Sequence, residues 1–114
     1  MTLVLEAGDL IWMNFDPQAR PEQAGRRPAL VLSPRIYHDK TALAIVCPIT
    51  SNTRPYPFKV VLPEGLPISG AVLADQVKSI DRGARRLAAA GKAPRLVLVE
   101  VQAKLAALLG LEPE

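Results

Sequence analysis

A carboxylate, two guanidiniums and a glycine fall within one short run, Glu22-Gln23-Ala24-Gly25-Arg26-Arg27-Pro28. Arginine presents a planar fork of donors matched to a phosphate, and glycine lets the backbone turn with positive φ, so the run has the makings of an anion site. Arg27 differs from Arg26 because a proline follows it. The residue before proline is biased to extended backbone, which sets Arg27 at the start of a strand. Thr50 and Ser51 stand just beyond the apolar run Leu43 to Pro48, where their hydroxyls could donate at the same mouth. Plainer roles fit the same residues: a solvated loop with Glu22 weakly paired to an arginine, and a turn whose hydroxyls satisfy the local backbone.

A second group lies between residues 78 and 95, where Lys78, Arg82, Arg85, Arg86, Lys92 and Arg95 face the single acid Asp81. The stretch reads either as one side of a track for an anionic ligand or as the charged outer face of a strand pair. Asp75-Gln76 sits between apolar residues, and polar groups in a β core need partners, so a buried network and a base-reading role are both open. Cys47 lies in an apolar strand and reads as a small core residue. His38, in Tyr37-His38-Asp39-Lys40, reads as a surface-turn histidine. With one histidine and one cysteine in the chain, metal-ligand clusters and disulfide frameworks are unsupported. Neither GxxxxGK nor GxGxxG occurs.

Elements that would hold these groups are short strands. Eleven prolines and seven glycines punctuate the chain, and Val, Ile and Leu fill the runs between them, the pattern of a small all-β barrel or sandwich. Expected strands are Gly8 to Phe15, Pro28 to Ser33, Leu43 to Pro48 (buried on both faces), Phe58 to Leu62, one bent strand or two from Gly70 to Ile80, and Arg86 to Ala90. Residues 16 to 27 form a polar loop, long enough for so small a domain to suggest function. Near the C-terminus the period changes: Leu98, Val101, Leu105, Leu108 and Leu109 recur at helical spacing, with Pro94 before them and Gly110 as a stop. This predicts one amphipathic helix laid over an open face of the sheet.

At 114 residues the chain is expected to be a single domain, 1–114, with 49% hydrophobic and 22% charged residues, which excludes wholesale disorder. The start MTLVLEAGDL lacks the pattern of an export signal, and Glu100, Gln102 and Lys104 interrupt the longest apolar stretch, so a cytoplasmic protein without a membrane span is expected. A net charge of +3 leans towards anionic partners. Aromatics, at 4%, are too few for a base-stacking platform.

GDLIWMNFDP, EQAGRRPALVLSP, PIT before YPFKVVLP, GAVLADQVKSID and a final helix follow one another between Gly8 and Gly110. In this order and spacing the chain resembles the MazF/PemK family of toxin endoribonucleases. The resemblance implies a mainly β, SH3-like barrel with a C-terminal helix, of the type shared with gyrase-poisoning toxins, forming a homodimer. It implies metal-independent, sequence-selective cleavage of single-stranded RNA, chiefly messenger RNA, and neutralisation by a MazE-like antitoxin whose acidic tail competes for the basic groove. No cofactor is implied. The family's catalytic arginine falls on Arg27, its catalytic threonine on Thr50 and its loop glutamate on Glu22. With RNA as substrate, Arg26, Ser51, Asn52, Gln76, Lys78, Arg82, Arg85 and Arg86 are the expected RNA contacts. A gyrase poison of the same fold would need no Arg27–Thr50 pair, and a noncatalytic RNA-binding module would tolerate loss of Thr50.

Overall fold

Alternating apolar and polar residues cut by prolines give strands too short to stand alone, so they are stable only as one sheet. A computed structural model describes residues 3–14 and 26–111. Its elements are β1 (Asp9–Asn14), β2 (Arg26–Val31), α1 (Arg35–Lys40), β3 (Leu43–Thr50), β4 (Lys59–Val61), β5 (Ala71–Leu73), a 3₁₀ turn (Ala74–Gln76), β6 (Lys78–Asp81), β7 (Ala88–Lys92) and α2 (Arg95–Leu108). The run from Gly70 to Ile80 is therefore two strands, parted by the 3₁₀ turn. The strands form an antiparallel sheet in the order β4-β5-β3-β2-β1-β7, with β6 also on β3. No described pairing joins β4 to β7, so the sheet is barrel-like without being closed.

β3 is the strand that makes this arrangement. One edge pairs with β2, from Ala29 opposite Pro48 to Val31 opposite Val46. The other edge is shared: Leu43 to Val46 pair with β6, and Ile49 and Thr50 pair with β5. The expectation that β3 is buried on both faces is corrected, because Leu43 is exposed and Ile45 and Pro48 are only half-buried. A strand shared between two part-sheets keeps one end on each rim.

Side-chain alternation sorts the core into two layers. Leu10, Leu30, Cys47, Ile49, Val60 and Val72 lie on one side, covered by Val97 and Val101 of α2. Leu5, Ile11, Met13, Ala29, Val31, Ala44, Val46 and Ile80 form a smaller layer on the other. The helix expected near the C-terminus is present, but its buried stripe is Val97 and Val101 with Leu98 and Leu105 partly covered. Leu108 and Leu109, read as part of that stripe, are 44% and 65% exposed. No described helix is long and apolar enough to cross a membrane.

A second correction concerns His38. It sits in α1, a short helix unforeseen in the sequence, and is only 6% exposed. Its Nδ1–H donates to the Leu5 carbonyl at 2.9 Å. Nε2 then accepts from the Ser33 hydroxyl at 2.6 Å, and that hydroxyl oxygen accepts the Ile45 N–H at 2.8 Å. The histidine is a buried clamp between the N-terminal segment, α1 and β3, as burial of an imidazole demands.

Candidate functional site

Pro28 does what its position predicts: β2 begins at Arg26, and Arg27 is exposed at the strand's first turn of alternation, opposite Met13 of β1. Thr50 ends β3, half-buried, opposite Ala71 of β5. The hydrogen-bonded register of β2 on β3 stops at Ala29 opposite Pro48. Arg27 and Thr50 each lie two residues beyond that last pair, past the end of the ladder. On the opposite edge of β3 the partner changes from β6 to β5 between Val46 and Ile49, so Thr50 lies at the end of β3 that pairs with β5. Lys78 is exposed on β6, opposite Val46 of β3.

Gly70 holds Thr50 from behind. Its φ is +125°, and a Cβ there would collide with the Thr50 carbonyl oxygen. Only glycine permits this approach. In front, the Asn52 N–H donates to Thr50 Oγ1 at 3.1 Å, and the Arg54 N–H donates to Asn52 Oδ1 at 3.0 Å. These local turns orient the hydroxyl: its oxygen is an acceptor for Asn52, and no described group accepts its hydrogen. Ser51 and Asn52 are exposed on the same loop. Nearby, Tyr56 donates its hydroxyl to Asp75 Oδ2 at 2.6 Å, a bond that raises the Tyr56 pKa above its ordinary value. Asp75 thus joins a network, whereas Gln76 is exposed.

The other basic residues divide. Arg26 faces away from Arg27, as neighbours in a strand must, with its guanidinium 6.0 Å from the Trp12 ring centroid, an arrangement suited to cation–π attraction. Arg85 and Arg86 lie in the turn from β6 to β7, and Arg86 takes a left-handed φ of 48°. Arg82 is half-buried and turned inward, its guanidinium donating to the His38 carbonyl at 2.7 Å and to that of Thr41. Lys92 is held by Asp9 at 2.6 Å, so neither completes a continuous track. Cys47 is wholly buried, and burial first, with the charge of Asp75 second, pushes its thiol up to about 12. It is a core residue and no nucleophile. Among the described residues no group of His, Cys, Asp or Glu could hold a metal ion. Glu22 and the rest of the loop before Arg26 lie outside the described residues.

The family of PemK-like, MazF-like toxins of type II toxin–antitoxin systems matches residues 6–109. The chain belongs to that family. It is 46% identical over 107 residues to the endoribonuclease toxin MazF of Escherichia coli K12, covering 94% of this chain and 96% of that one. With the endoribonuclease PemK of Escherichia coli it shares 34% identity, covering 92% of this chain and 82% of the relative. Among solved structures, MazF in a MazE–MazF crystal from Deinococcus radiodurans superposes with a TM-score of 0.90 at 51% identity, over 97% of this chain and all (100%) of that one. Membership gives the Arg27–Thr50 rim its context within a toxin domain. Lys59 and Gly70, both in contact with the Thr50 loop, were not singled out in the sequence. A glycine just ahead of an apolar strand was the one available signal for Gly70; Lys59 reads there only as a strand lysine.

Proposed function

We propose that this endoribonuclease toxin cleaves single-stranded RNA, chiefly messenger RNA, and so arrests translation. The RNA's own 2′-hydroxyl attacks the adjacent phosphorus as the bond to the 5′-oxygen breaks, leaving a 2′,3′-cyclic phosphate and a 5′-hydroxyl. No water needs activating in this step, and no metal is called for. Negative charge gathers on the nonbridging oxygens, and Arg27 and Thr50 act as preorganised donors to them. An arginine with a pKa above about 12 is a poor base at neutral pH, so Arg27 serves as clamp or proton donor. Glu22 is the candidate for orienting Arg27 or taking the 2′-hydroxyl proton. Arg26, Ser51, Asn52, Gln76, Lys78, Arg85 and Arg86 are the proposed RNA contacts.

The observation that supports this reading is that Arg27 and Thr50 both lie two residues past the last β2–β3 pair, with no described acceptor for the Thr50 hydroxyl. Residues 1–114 are read as one toxin domain, working as a homodimer in the cytoplasm, where messenger RNA is found. The antitoxin is read as a MazE-like protein, in keeping with the MazE–MazF crystal of the relative. Its acidic tail would compete with RNA for the same face.

The test is incubation with mixed-sequence single-stranded RNA in EDTA, mapping product ends beside Arg27→Ala. Cleavage at a defined short sequence, leaving cyclic phosphate ends and lost in the variant, is the expected result. Binding without cleavage would replace the enzyme reading by a binding module.

A further inference from the structure

Every residue from Ser51 to Pro57 is exposed, yet the loop's backbone is pinned, and the pin is a lysine. Lys59, half-buried in β4, sends its ammonium to the Asn52 carbonyl at 2.7 Å and the Arg54 carbonyl at 3.1 Å. Its own N–H donates to the Tyr56 carbonyl at 3.0 Å. No described carboxylate forms an ion pair with it. The ammonium is therefore directed at two peptide carbonyls, and such charge-assisted bonds are stronger than neutral ones. Asn52 is the hinge of the arrangement: its carbonyl accepts from Lys59 while its N–H donates to Thr50 Oγ1.

We propose that Lys59 is a positioning residue for Thr50, acting through Asn52. The inference rests on the reading of Thr50 as a donor to the phosphate. Holding Asn52 in place keeps one lone pair of the threonine oxygen occupied, and the hydroxyl hydrogen is thereby aimed outward. Without the ammonium two carbonyls lose their partner, the loop relaxes into solvent and the threonine regains its rotamers.

Single-turnover cleavage by Lys59→Met and Lys59→Arg, each in the parent and in a Thr50→Val background, tests this. Lys59→Met is expected to lower kcat on the order of tenfold to a hundredfold, the cost of misplacing a catalytic group by about an ångström, with KM little changed. Lys59→Arg, which still reaches the carbonyls, restores most of it, and in the Thr50→Val background the methionine variant costs nothing more. An equal loss in both backgrounds, a rise in KM alone, or no loss would overturn the proposal. Lys59→Gln, keeping one donor, replaces the methionine variant if melting shows that the latter does not fold. Amide exchange at Asn52 and Arg54 separates the two readings. If the parent cleaves no RNA, the functional reading fails by itself, whereas exchange left unchanged by Lys59→Met removes the positioning role whatever the parent does.

Discussion

Two polar regions of this small sheet differ in where they leave a donor unused. Around His38, side-chain donors end on the protein itself: the imidazole on the Leu5 carbonyl, the Ser33 hydroxyl on the imidazole, and one terminal nitrogen of Arg82 on the carbonyls of His38 and Thr41, with the Arg82 Nε left buried and unpartnered. Around Thr50 the donor left over is a hydroxyl at the half-buried end of β3. Backbone N–H groups of Asn52 and Arg54 end on side-chain oxygens, as the Ile45 N–H does on Ser33, but here no described group accepts from the threonine hydroxyl. The first region closes the small core layer, and on the proposed function the second offers its hydroxyl to the RNA. Polar residues in a β domain are told apart less by type or burial than by where their hydrogens end.

The comparison breaks most visibly at the rim. On the proposed roles, Arg27→Ala or Thr50→Val should each lower cleavage about 10²- to 10³-fold, while melting temperature stays near that of the parent. A variant that melts early in proportion to its loss of activity would make the rim structural. Arg82→Met probes the opposite side. Hydrogen bonds to charged groups contribute roughly 1.5–3 kcal/mol, so thermal melting should drop clearly while the folded protein cleaves as before. A weakened RNA affinity with unchanged melting would move Arg82 back among the RNA contacts.

Ser33→Ala is next in size. It strips the half-buried Ile45 N–H of its acceptor and the buried His38 Nε2 of its donor, at a cost of about 1–3 kcal/mol. Denaturant titration reads this, and cleavage by the folded fraction should not change. Cys47 gives a pH-dependent counterpart in the larger core layer. Its thiol is raised from 9.0 to about 12 by burial, so the unfolded chain ionises first. Stability is full below pH 9 and falls as the pH climbs from there towards 12, by up to about 1.4 kcal/mol per unit from this group. Comparing the alkaline limb of parent and Cys47→Val isolates it; identical limbs would show a thiol that ionises as easily folded as unfolded.

What could be read in the chain follows the range of the forces involved. Arg27 was legible because Pro28 acts on its immediate neighbour, and Cys47 because the run around it is apolar. The barrel-like sheet and the family followed from motifs in order. His38 was misread since its partners are Ser33 and the distant Leu5 carbonyl, and α1 has six residues, Pro34 at its start and no side-chain cap to announce it. Arg82 looked like its neighbours Arg85 and Arg86, and only the fold brings it to carbonyls some forty residues earlier. Helical spacing of Leu108 and Leu109 was real, but spacing does not say where the sheet beneath a helix ends.

Arg86 sharpens the comparison at its smallest scale. Its left-handed φ of 48° costs an L-residue about 1–2 kcal/mol, and glycine would adopt it without that penalty. Arg86→Gly gives back part of the gain, because glycine loses more freedom on folding, roughly 0.5–1 kcal/mol. The net expectation is a variant as stable as the parent or up to about 1.5 kcal/mol more so. If the exposed guanidinium meets an RNA phosphate, the same change weakens binding of a noncleavable RNA and flattens the salt dependence by roughly 0.7 to 1 in log–log slope. A gain in stability with an unchanged salt slope would leave Arg86 as a strained turn residue with no part in binding. Arg82→Met should show the reverse pair of effects, a loss of stability at constant slope, since its guanidinium already ends on the protein.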